Sequence, residues 1–140
     1  MSTFQSFEEI EAWQRGRSLT RKIREVCKRE KVKRDFAWID QITRAVRSIG
    51  ANIAEGFESL TIPEFINSLG YAKRSSGEVR SHLYDGSDEG YISQKELDEL
   101  SNETIEICKM LAGLIHYLQS MDKKKKRTLK NQKTQLITKD

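Results

Sequence analysis

The chain has 140 residues, of which 36% are hydrophobic and 33% charged, with a mean hydropathy of −0.69. This composition fits one domain, too polar to span a membrane and too apolar for wholesale disorder. Residues 1–11 show no basic stretch followed by an apolar one, and Cys27 and Cys108 make no disulfide scaffold, so a cytoplasmic location is expected. A single proline, Pro63, points to long uninterrupted helices.

Four helices are predicted in chain order. The first starts at Ser6, where Ser6 and Glu9 read as a capping box, and runs to about Lys31. Trp13, Gly16, Leu19, Thr20, Ile23, Val26 and Cys27 share its apolar face, and Ile10 lies off that face. The second starts near Asp35, a natural N-cap. Its stripe is Ile39, Ile42, Val46, Ile49, Ile53 and Phe57, with Trp38, Ala45 and Asn52 on the flank and Gly56 as a stop. The third opens at Thr61 with Glu64 as a second capping box. It carries Ile62, Phe65, Leu69, Ala72, Ser76, Val79 and Leu83, and Gly86 suits its end. The fourth opens at Ser93 with Glu96 and carries Leu97, Leu100, Thr104, Ile107, Leu111, Leu114 and Leu118. No segment alternates with period two. The fold class is therefore all-α: an antiparallel up-down four-helix bundle over residues 1–120, followed by a mobile basic C-terminal tail over residues 121–140.

The charge is distributed unevenly. Residues 1–120 hold 17 basic and 19 acidic residues, whereas residues 121–140 hold eight basic and two acidic ones. Within the body, residues 15–47 carry a balance of +8 and residues 85–106 a balance of −7. On helix one, Arg17, Arg21, Arg24, Lys28 and Lys31 recur every three or four residues and form a ridge away from the apolar face. Arg44 and Arg47 add charge on the outer face of helix two. Glu96, Glu99, Glu103 and Glu106 line one flank of helix four. Three readings of the ridge stay open: a solvated helix face, pairing with the acidic flank of helix four within or between subunits, or a phosphate track for RNA or DNA. The tail residues Lys123, Lys124, Lys125, Lys126 and Arg127 add attraction for phosphates, although no aromatic is interleaved among them.

The sequence offers little for catalysis or cofactors. His82 and His116 lie on different helices without Cys or His at metal-ligand spacing, and Glu78 with His82 reads as a surface pair. No Glu-x-x-His motif, phosphate loop or nucleophile–base pair is present, so a non-enzyme without cofactor or metal is expected.

The run Gln41-Ile42-Thr43-Arg44-Ala45-Val46-Arg47-Ser48-Ile49-Gly50-Ala51-Asn52-Ile53-Ala54-Glu55-Gly56-Phe57 is specific. It resembles the signature of the bacterial four-helix-bundle family encoded in intervening sequences of 23S ribosomal RNA genes, often labelled S23 ribosomal protein. Trp13 in its Ile10-Glu11-Ala12-Trp13-Gln14 context, Ala72-Lys73-Arg74-Ser75-Ser76-Gly77-Glu78, Gly90-Tyr91-Ile92 and Lys109-Met110-Leu111-Ala112-Gly113-Leu114-Ile115 support the resemblance over residues 4–120. It implies a homopentamer of antiparallel bundles, similar in fold to accessory proteins of diversity-generating retroelements, which bind nucleic acid and a reverse transcriptase. Arg44, Asn52, Glu55, Gly56 and Glu78 match the family's signature positions. Asn52 and Glu55 are then either partner contacts or hydrogen bonds between helices or subunits. The expectation is an oligomeric bundle that binds RNA or DNA through helix one and the tail. The alternative is an assembly module, with or without a protein partner, in which the ridge meets acidic helix four.

Overall fold

The computed structural model describes residues 4–138; residues 1–3, Lys139 and Asp140 lie outside it. A 3₁₀ turn at Phe7–Glu9 precedes four helices: α1 (Glu11–Cys27), α2 (Phe36–Phe57), α3 (Ile62–Asp88) and α4 (Gln94–Thr138). There is no strand among the described residues.

Helix one is shorter than its periodicity predicts, at both ends. Ser6 makes no side-chain cap, and Glu9 instead accepts the Gln5 N–H at 2.7 Å. Ile10 adopts an extended backbone between the 3₁₀ turn and α1, and this break carries its side chain into the core. At the far end, continuing the helix would bring Glu30 onto the face of Ile23 and Val26, where a carboxylate would be buried without a partner. The chain turns at residues 28–34 instead and buries Val32 fully.

The remaining starts follow their caps. Asp35 accepts the Trp38 N–H at 3.1 Å and Thr61 accepts the Glu64 N–H at 3.2 Å. Glu64 reaches the Leu60 N–H rather than that of Thr61. Ser93 and Glu96 close a full reciprocal box, with bonds of 2.9 and 3.1 Å.

Gly56 and Gly86 are not stops but packing points. A Cβ at Gly56 would stand 2.7 Å from Ser68 Cβ, and one at Gly86 2.7 Å from Trp38 Cζ2. Trp38, expected on the flank, is buried there, its Nε1–H donating to His82 O at 2.9 Å and its ring meeting Tyr91 edge-on at 5.2 Å. The stop of α3 is Gly90, with φ of +77°. Tyr91 N–H bonds to Gly86 O at 2.8 Å and Gly90 N–H to Ser87 O at 3.0 Å, a Schellman pair.

The core runs through all four helices as Leu19, Ile23, Ile42, Ile49, Ile53, Leu69, Leu83, Ile107 and Leu111. Contacts between neighbouring helices run in opposite chain order. Trp13 lies by Gly50, Gly16 by Ile49 and Thr20 by Val46; Trp38 lies by Gly86 and Phe65 by Gly56. The α2–α3 contact is the most extensive and α1–α4 the slightest among the helices.

Composition predicts a mobile tail after Ser120, but α4 continues unbroken to Thr138. Residues 123–137 are exposed all round, Leu129, Leu136 and Ile137 included. The segment is therefore a helical projection, about 22 Å long, without packing from the bundle.

Candidate nucleic-acid interface

Arg17, Arg21 and Arg24 stand on successive turns of α1, all exposed, and Arg47 faces them from α2. Together with Trp13 they line a groove of about 470 Å³. Its sides include Gly16, Thr20, Gly50 and Ala51, so small residues let the cleft run down to the α1–α2 seam. Thr20 is occupied with Gly16 O at 2.8 Å and Val46 O at 3.5 Å, which closes the seam below. An adjoining groove shares Arg47 and Ala51 and extends the surface to Arg44, Thr43, Ser48 and Asp40. Here Asp40 holds Arg44 at 3.0 Å and weakens that end as an anion site.

The ridge is thus brought together in part. Because α1 ends at Cys27, Lys28 is its C-cap and Lys31 falls in the following turn, so neither continues the helical row. Lys28 is paired with Glu25 at 3.0 Å. Among the described residues Arg21, Arg24 and Arg47 have no acidic partner. Arg17 rests 5.8 Å from the Trp13 ring centroid. Lys123, Lys124, Lys125, Lys126 and Arg127 lie on the α4 projection, where Lys126 meets Asp122 at 3.1 Å.

The acidic flank of α4 is engaged within its own chain, and not by the ridge. Lys22 Nζ reaches Glu103 at 2.6 Å. Arg29 grips both oxygens of Glu96, one at 3.1 Å, and donates to Tyr91 O at 2.9 Å. Glu99 faces Lys95 at 3.9 Å and Glu106 faces Lys109 at 3.6 Å. Lys22 and Arg29, rather than the longer Arg17–Lys31 row, make these ties. The available signal was their position beside the apolar residues Ile23 and Val26, from which a long side chain reaches the next helix.

Arg29 and the Ser93 N–H hold the Glu96 carboxyl down to about 2, against 4.5 ordinarily. Nearby, Tyr91 donates to Asp35 Oδ2 at 2.6 Å, which pushes the phenol up to about 12 and holds the Asp35 carboxyl below its usual range. These bonds tie the α1–α2 turn to the α3–α4 turn at one end of the bundle.

Of the signature residues, Asn52 and Gly56 lie at the α2–α3 contact. Asn52 donates to Ser48 O at 2.8 Å and Ser48 Oγ at 2.9 Å, and Ser75 on α3 donates to Ser48 Oγ at 2.9 Å. Asn52 thereby orients a hydroxyl that links two helices. Glu55 is exposed. Glu78 meets His82 Nε2 at 3.2 Å. No cluster of three or more metal-binding side chains occurs among the described residues, and burial raises the Cys27 thiol. No helix among the described residues is long and apolar enough to cross a membrane.

The model of a family described as "23S rRNA-intervening sequence protein" matches residues 8–113. A crystal structure of a protein of unknown function from the S23 ribosomal protein family of Bacteroides thetaiotaomicron VPI-5482 is similar. Its TM-score is 0.69 at 26% identity, over 75% of this chain and 95% of that one. No curated protein matches the chain.

Proposed function

The chain belongs to the 23S rRNA-intervening sequence protein family, and on that premise we propose that it is a non-catalytic, cytoplasmic, antiparallel up-down bundle that binds RNA or DNA. The groove of Arg17, Arg21, Arg24 and Arg47 is the docking face, and the basic projection of α4 adds charge. It works as a homo-oligomer, a pentamer as the family resemblance implies. The reading rests on one contrast: each carboxylate of the α4 flank faces a cation of its own chain, while Arg21, Arg24 and Arg47 face none among the described residues. Exposed guanidinium groups on neighbouring turns suit the phosphates of a polyanion, which they hold bidentately. The opposite order of contacts between neighbouring helices supports the up-down arrangement.

Binding of labelled single- and double-stranded RNA and DNA across a salt series tests this. Log K is expected to fall with log salt by about 0.7 to 0.9 per phosphate contact. A flat profile, or no binding, rejects the reading. The assembly alternative predicts instead that reversing Arg21 and Arg24 shifts the particle mass in light scattering and leaves nucleic-acid affinity unchanged. The intrachain pairing of the acidic flank argues against it.

A further inference from the structure

The cationic groove has a second property that phosphate binding alone does not use. One wall is Trp13, half-buried and held from one side by Phe7, whose ring meets it edge-on at 5.2 Å. Its indole N–H has no acceptor among the described residues, whereas the same group of Trp38 is satisfied by His82 O at 2.9 Å. Unlike the Ser101 hydroxyl, the Trp13 N–H is not buried, so it faces water in the groove as a donor open to a ligand. Beside it, the backbone of Gly50 leaves the cleft open. A Cβ there would stand 3.4 Å from Trp13 Nε1 and 3.5 Å from its Cδ1, crowding that edge of the ring. The Arg17 guanidinium lies 5.8 Å from the Trp13 ring centroid, with Arg21, Arg24 and Arg47 along the rim. The volume of about 470 Å³ is that of a small-molecule site.

Resting on the polyanion reading, we infer that this groove takes one unpaired nucleotide of a single strand. The base lies against Trp13 and Arg17, with a base or phosphate oxygen accepting the indole N–H, and the flanking phosphates lie on Arg21, Arg24 and Arg47. A duplex keeps its bases inside the stack and presents phosphates alone, so it leaves Trp13 unused. A single strand offers an aromatic face with each anion, and stacking on an aromatic side chain tolerates any base. The protein is therefore a reader of single-strandedness rather than of sequence.

Intrinsic fluorescence of the full chain reads this directly, because Trp38 is buried and quenching by a ligand reports Trp13. Three end-labelled probes of equal length, whose anisotropy gives the affinity whether or not Trp13 is quenched, are titrated at one salt concentration: oligothymidylate, an abasic phosphodiester, and a DNA duplex. Oligothymidylate is expected to quench and to bind about tenfold more tightly than the abasic strand. Trp13→Phe, which keeps a ring against Phe7, is expected to shrink that ratio, while Arg21→Glu weakens oligothymidylate and the abasic strand alike. Should Trp13→Phe fail to fold, the abasic comparison on the unaltered protein decides alone. Equal binding of thymidylate and abasic strands without quenching overturns the base site and leaves the polyanion reading standing. Tighter binding of the duplex overturns the single-strand preference. Failure of every probe to bind overturns both.

Discussion

Two glycines on α3 make opposite predictions for the same substitution. At Gly86 an added Cβ would stand 2.7 Å from Trp38 Cζ2, roughly 1 Å inside ordinary carbon–carbon contact. The ring has little room to retreat. Its Nε1–H is bonded to His82 O, Tyr91 packs on its edge, and the Tyr91 hydroxyl is bonded to Asp35. Overpacking costs about 1–3 kcal/mol, and displacing the indole N–H loses about 1 kcal/mol more. Against this stands a gain of about 1 kcal/mol from replacing Gly by Ala in a helix. Gly86→Ala is therefore expected to destabilise by about 1–3 kcal/mol. At Gly77 an added Cβ meets nothing within 4 Å, and Gly77→Ala is expected to stabilise by up to about 1 kcal/mol. Urea unfolding followed by circular dichroism, at one protein concentration, compares the pair. Equal midpoints, or a Gly86→Ala midpoint at or above that of the unaltered protein, would refute the packing role of Gly86.

Three further outcomes follow from the same contacts. The Glu96 carboxyl is held near 2 in the folded chain, below its ordinary 4.5, so its contribution is present above pH 4.5 and lost as the pH falls towards 2. Arg29→Met is expected to flatten stability against pH in that window and to cost about 1 kcal/mol at neutral pH, since the pair is partly exposed to water; an unchanged acid profile counts against the tie. Ser101 Oγ is buried without a partner among the described residues, so Ser101→Ala is expected to raise stability by up to about 1 kcal/mol in thermal unfolding. A fall would mean that the hydroxyl is satisfied. Replacing Lys123, Lys124, Lys125 and Lys126 by Gln is expected to weaken oligonucleotide binding and reduce its salt slope, with the unfolding midpoint unchanged because those side chains touch nothing in the core.

The helices were legible where local chemistry and burial agree. Ser93 with Glu96 reads as a start and is one, because both partners of the box are free to close it. Ser6 with Glu9 matches the same pattern, but Glu9 turns to the Gln5 N–H and burial of Ile10 breaks the chain into two elements. Gly56 and Gly86 read as stops because glycine commonly follows a helix. Their register spoke otherwise: Gly56 continues Ile49 and Ile53, and Gly86 continues Val79 and Leu83, and a glycine on the apolar stripe marks close approach of another helix. Composition reports that residues 121–140 lack a core-facing stripe but not whether a helix already under way continues. Of the site, the row Arg17, Arg21 and Arg24 was visible from spacing. That Arg47 and Trp13 close the same groove was not, since it depends on the α1–α2 crossing at Gly16 and Gly50.

The central claim is that the α1 arginines are left free for a polyanion. The most direct test is the salt dependence of oligonucleotide affinity for the unaltered protein beside the Arg21→Glu, Arg24→Glu double variant, with light scattering confirming equal particle mass. The account predicts weaker binding and a log–log slope shallower by about 1.4 to 1.8. Identical slopes and affinities would contradict it.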